Sequence, residues 1–104
     1  MSNYKLLYVI CGSKSESIKL AKMLVKNKLA ACTNIIDNIY SIFNWNNKVK
    51  SSKEYILIGK TQKKKVKLII KTIKKEHSYS CPCILFLNID DGYKNFLKWI
   101  KNNS

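Results

Sequence analysis

Residues 30–45 read AACTNIIDNIYSIFNW, a β-branched and aromatic run far longer than an ordinary strand. At about 3.3 Å per residue it extends roughly 50 Å, against about 26 Å for residues 4–11. Asp37-Asn38 interrupts it and marks a bulge or bend. Asn44 to Asn47 supply the turn signals of a hairpin. The return arm carries Lys48, Val49 and Lys50, then a third strand from Glu54 to Lys60. The outer half of this hairpin overhangs its neighbours and carries Ile39, Tyr40, Ile42, Phe43 and Trp45. Such an edge is normally covered by another chain, so the hairpin already points to an oligomer.

The flanking segments complete the architecture. Tyr4 to Cys11 is apolar on both faces, the pattern of a central, doubly covered strand. Ser13 with Glu16 three residues on reads as a capping box. It opens a helix to about Lys28, with Ile18, Ala21, Leu24 and Val25 on one face. Thr61 reads as the cap of a second helix through Glu76, with Val66, Ile69, Ile70 and Ile73 at i, i+3, i+4, i+7. Pro82 starts a fourth strand, Cys83 to Ile89, which Asp90-Asp91-Gly92 ends. A last helix places Tyr93, Phe96, Leu97 and Ile100 on one face. The expected fold is α+β: a ferredoxin-like βαββαβ sandwich over a single domain, residues 1–104, with a long hairpin between the second and third strands and a C-terminal helix.

Composition narrows the function. The net charge is +14, yet all twenty basic residues are Lys and none is Arg. Arg is the residue of bidentate base and phosphate recognition. The abundance of Lys, Ile and Asn fits codon bias, so solvated faces are favoured over a nucleic-acid surface. No specific nucleic acid is expected, and any association with DNA should be electrostatic. No apolar run approaches the roughly 18 residues of a membrane span. The N-terminus reads as a strand and not a signal peptide, so a soluble cytoplasmic protein is expected.

The chain has three glycines, one histidine and six carboxylates. They form no phosphate-binding glycine loop, no paired acid and base, and no nucleophile set around His77. The reading is therefore not an enzyme. With no secretory signal, the four cysteines are buried thiols or metal ligands. In Cys81-Pro82-Cys83 the two thiols stand at i and i+2, on one face of an extended segment. They are able to share a soft ion, Cu(I) or Zn(II), with His77 four residues upstream of Cys81. The competing reading, small core side chains, is favoured. Packing is also favoured for Cys32. Cys11 ends the first strand beside a helix N-terminus, which lowers a thiol's pKa, and stands open between ligand and packed thiol.

As a set and in this order, Cys11 ending the first strand, Leu29 to Cys32, Trp45, Glu54, Lys60-Thr61, His77-x-Tyr79-x-x-Pro82 and Tyr93 to Trp99 resemble the CutA family, the divalent-cation tolerance proteins. The resemblance spans Leu6 to Ile100. It implies a compact homotrimer built through the long hairpin, a cytoplasmic role in tolerance of metal ions, and copper as the usual ion. It places Cys11, Cys32 and His77 where the family's metal-related residues stand. The family's block usually runs His-Pro-Tyr-Glu-x-Pro-Glu; here Ser78, Ser80 and Cys83 replace the first proline and both acids. That loss moves the expected site toward softer ligands, copper or zinc, with no cofactor required. The fold also resembles the PII signalling proteins, which implies an alternative: a trimeric signalling or scaffold protein binding a ligand or partner at subunit clefts.

Overall fold

The chain is described over residues 2–104 by a computed structural model. Its elements are β1 (Tyr4–Cys11), α1 (Lys14–Lys26), β2 (Cys32–Trp45), β3 (Lys48–Gln62), a 3-10 turn (Lys63–Lys65), α2 (Val66–Glu76), β4 (Ile84–Asn88) and α3 (Lys94–Asn102). The strands make one antiparallel sheet in the order β2-β3-β1-β4. This is the ferredoxin-like βαββαβ arrangement, extended by the long β2–β3 hairpin and by α3. No described helix is long and apolar enough to cross a membrane.

Alternation along β1 decides where the core lies. Leu7, Val9 and Cys11 are buried, while Leu6, Tyr8 and Ile10 between them are only half-buried. The buried row joins Leu57 of β3, Leu20 and Leu24 of α1, and Ile69 and Ile73 of α2. Each such side chain contributes about 1.5–3 kcal/mol on burial. The doubly covered first strand expected above is therefore covered on one face only within a single chain. The other face carries exposed Ile36, Leu85 and Leu87.

Local chemistry sets the element ends. The Ser13 side chain accepts a hydrogen bond from the Glu16 backbone N–H at 3.1 Å, the expected cap. α1 stops two residues short of Lys28, because Lys28 takes a left-handed conformation (φ 54°). The Leu29 N–H then donates to the Leu24 carbonyl and the Lys28 N–H to that of Val25, the paired bonds of a Schellman ending. At the hairpin tip Asn46 and Asn47 both have positive φ, and Trp45 faces Lys48. A two-residue turn of this kind suits the strand twist, and Asn tolerates it.

Thr61 is not a helix cap. β3 runs unbroken from Lys48 to Gln62, and the buried Thr61 hydroxyl donates to the Leu29 carbonyl at 2.6 Å. α2 begins later and has no side-chain cap. The fourth strand is shorter than expected, with Cys83 and Ile89 each flanking it by one backbone hydrogen bond to β1. On α2, Ile69 and Ile73 are buried while Ile70 is exposed. On α3 only Ile100 is buried, and Tyr93, Phe96 and Trp99 stay exposed.

The hairpin bulges where Asp37-Asn38 suggested. Ile36 faces Ile56 and Ile39 faces Glu54, so two β2 residues oppose the single Tyr55, with Asn38 at φ 56°. Beyond the bulge, Tyr40, Ile42, Trp45 and Val49 are exposed in the single chain.

Candidate metal centre

Three elements converge at the end of β1. Cys11 is its last residue, Glu16 lies in the first turn of α1, and His77 follows α2 directly. The Cys11 thiol, a Glu16 carboxylate oxygen and an imidazole nitrogen of His77 lie within 4.8 Å of one another. Glu16 Oε1 is 3.9 Å from His77 Nδ1.

Backbone groups hold the imidazole in one tautomer. His77 Nε2 lies 2.8 Å from the Ile10 carbonyl, which only accepts, so Nε2 carries the proton. Nδ1 accepts from the Tyr79 backbone N–H at 3.0 Å, so its lone pair is already engaged by the loop. Glu16 in turn accepts from the Ser78 amide at 2.8 Å and the Ser78 hydroxyl at 3.1 Å. The Tyr79 ring tilts against the imidazole, and its hydroxyl donates to Glu54 at 2.7 Å.

These contacts shift the ionisable groups. Burial, then the charges of Glu16 and Glu54, push the Cys11 thiol up to about 12. The helix N-terminus, which would lower the thiol, is outweighed here by desolvation and two carboxylates. Burial alone would raise Glu16, but the Ser78 hydroxyl and amide, with His77 beside them, hold its carboxyl below the usual range. Burial and the Glu54 hydrogen bond push Tyr79 up to about 12.

Cys11 and His77 therefore come together, and Glu16 joins them. The remaining candidates do not. Cys32 faces Lys60, in the row of Leu6, and so lies on the opposite sheet face from Cys11. Cys81 is exposed in the bend before β4, not on a strand, so the shared face inferred for Cys81 and Cys83 has no strand to define it. Cys83 is half-buried, and its carbonyl accepts from the Ile10 N–H at 3.2 Å; burial raises its thiol. Glu16 escaped sequence reading as a donor because its spacing from Ser13 signals only a cap. Its meeting with Ser78 is a long-range contact.

The donor set of one sulfur, one nitrogen and one oxygen fits an ion of intermediate softness, zinc or copper. The Ile10 carbonyl already orients the imidazole, as outer partners of metal-bound histidines do. Cys11, Glu16 and His77 would hold such an ion, and the Cys11 thiol would have to lose its proton to do so.

Comparison with known proteins gives a consistent result. The family described as CutA1 divalent ion tolerance protein matches residues 5–103. A divalent-cation tolerance protein CutA from Archaeoglobus fulgidus is 38% identical over 97 residues, 93% of this chain and 94% of that one. The chloroplastic protein CutA of Arabidopsis thaliana is 35% identical over 94% of this chain, which spans only 54% of that longer protein. Among solved structures, CutA1 from Oryza sativa superposes with a TM-score of 0.96 at 32% identity, covering 99% of this chain and 94% of that one. The Thermus thermophilus protein gives 0.95 at 30% identity, covering 97% and 98%.

Proposed function

The chain belongs to the CutA1 divalent ion tolerance family, and from that premise we propose that it is a homotrimeric, non-enzymatic protein of metal tolerance that binds copper or zinc at Cys11, Glu16 and His77. The observation that carries the metal site is the approach of three unlike donors to within 4.8 Å, beside a β1 carbonyl that already orients the imidazole. Cys81 and Cys83, which follow His77 by four and six residues, serve as outer capture thiols in this reading, while Cys32 lies on the opposite sheet face and takes no part. Four free cysteines suit a reducing compartment, and we place the protein in the cytoplasm. The trimer reading rests on the hairpin arm with its exposed Tyr40, Ile42 and Trp45, which a second and third copy would cover.

The test is competitive titration of reduced protein with Cu(I) and Zn(II), beside Cys11→Ser, Glu16→Gln, His77→Ala and a Cys81→Ser/Cys83→Ser double variant. Loss of a direct ligand should weaken binding by about tenfold or more, and loss of the outer thiols by less. Affinity unchanged in Cys11→Ser and His77→Ala would remove the metal role from this site.

A second reading, ligand binding in the manner of PII signalling proteins, is favoured by an open groove of about 840 Å³ between α1 and the start of β2. Ile18, Ala21, Met23 and Ile35 line it, with Lys19 and Lys22 at the rim. Binding of a small anionic ligand that is lost on Lys19→Gln/Lys22→Gln, with no metal bound at physiological concentration, would favour it.

A further inference from the structure

Seven of the twenty lysines fall within residues 63–75, one-eighth of the chain. A uniform bias toward lysine would put two or three there. The fold sorts them onto one surface. Lys63, Lys67, Lys71 and Lys75 recur every four residues through the 3-10 turn and α2, and all four are exposed. Residues one turn apart share a helix face, about 6 Å from one to the next. Lys64 and Lys74 flank this row and are exposed too.

The row has no acidic counterpart. The one ion pair among the described residues joins Lys14 and Asp37, on other elements. The one acid of the segment, Glu76, ends α2. Like charges at i and i+4 weaken a helix by a few tenths of a kcal/mol per pair. Three lysines also crowd the N-terminal end of α2, which has no side-chain cap and no acid in its first turn. That is the positive end of the helix dipole. The segment is thus assembled against its own electrostatics, and a polyanion relieves both conflicts.

We propose that this outer face of α2 is a docking surface for the phosphate backbone of a nucleic acid, bound without regard to sequence. The absence of Arg removes bidentate reading of base edges and leaves point-charge contacts to phosphates. A lipid surface fits less well. An interfacial helix must bury an apolar face in the bilayer, whereas α2 commits Ile69 and Ile73 to the protein core. Leu68 and Ile70 alone are too little apolar area to hold it there.

The experiment is fluorescence anisotropy of a mixed-sequence duplex across a salt series, with the whole protein. The wild type should bind with log K falling linearly against log salt. Lys67→Gln/Lys71→Gln/Lys75→Gln should make that slope shallower by roughly 2 to 3, since each lost phosphate contact contributes about 0.9. The control is Lys94→Gln/Lys98→Gln/Lys101→Gln on α3, which removes the same charge from another exposed helix and should change the slope by less than 1. Equal losses in the two variants would mean that total charge alone acts and would overturn the proposal. So would binding to phosphatidylserine vesicles that depends on the α2 lysines when duplex binding does not.

Discussion

The Tyr79 hydroxyl donates to the Glu54 carboxylate at 2.7 Å, and it lies equally close, 2.7 Å, to the point where a β-carbon on Gly12 would stand. One ring thus ties the loop after α2 to β3 by passing over a residue that has no side chain to obstruct it. Glu54 is only 7% exposed and depends on that donor.

Tyr79→Phe should therefore destabilise the protein by about 1–3 kcal/mol, the cost of leaving a buried acceptor unpaired. Gly12→Ala should cost a similar amount by forcing the ring aside. The double variant should cost little more than the larger single change, because both break the same contact. Urea denaturation at fixed protein concentration measures all three, and fully additive losses would show that Gly12 acts independently of Tyr79.

Acid should reveal the Glu16–Ser78 contacts. The folded carboxyl sits below its ordinary value of 4.5. The stability it contributes is thus complete above about pH 4.5 and is lost as pH falls from there through the lowered folded value. Glu16→Gln should be less stable than the wild type at pH 7, and the gap should close as the pH falls below 4.5. A gap of constant size down to pH 3 would show that the carboxylate charge contributes nothing.

Thiol reactivity should separate the cysteines. Only the thiolate attacks a disulfide reagent, and the Cys11 thiol, at about 12, is almost wholly protonated near neutral pH as well as fully buried. Native protein treated with an aromatic disulfide at pH 8 should be labelled first at exposed Cys81. Cys11 should react only after unfolding. Peptide mass mapping distinguishes these sites, and early labelling of Cys11 would contradict its placement.

The hairpin arm should govern assembly. Light scattering at micromolar concentration should give a mass near three chains. Removal of residues 39–47 should abolish that species and leave monomer or aggregate, since Tyr40, Ile42 and Trp45 go with it. A trimer that survives the deletion would place the main interface on the sheet face of Ile36, Leu85 and Leu87.

Much of this fold is legible one residue at a time. Ser13 reads as a cap because its partner, the Glu16 amide, is three residues away. Ile69 and Ile73 read as core because helical spacing alone aligns them. Thr61 misleads because nothing nearby distinguishes a cap from a strand residue; the deciding carbonyl, on Leu29, is 32 residues distant. The site divides the same way. Cys11 and His77 are conspicuous by type, but the carboxylate that lies beside them, Glu16, is visible there only after α2 delivers Ser78 to the start of α1. The helix N-terminus beside Cys11 is visible locally, whereas the burial and the Glu54 charge that raise its thiol come from distant elements.

The bulge between Ile36 and Ile39 also constrains how this hairpin can change over evolutionary time. Its one unmatched residue fixes which side of the ribbon Ile39, Phe43 and Trp45 occupy, and which side Tyr40 and Ile42 occupy. A lineage that lost a single codon there would turn the whole arm over, because strand side chains alternate with a period of two. Arm length is therefore free to drift only in even steps, or by paired changes on both strands.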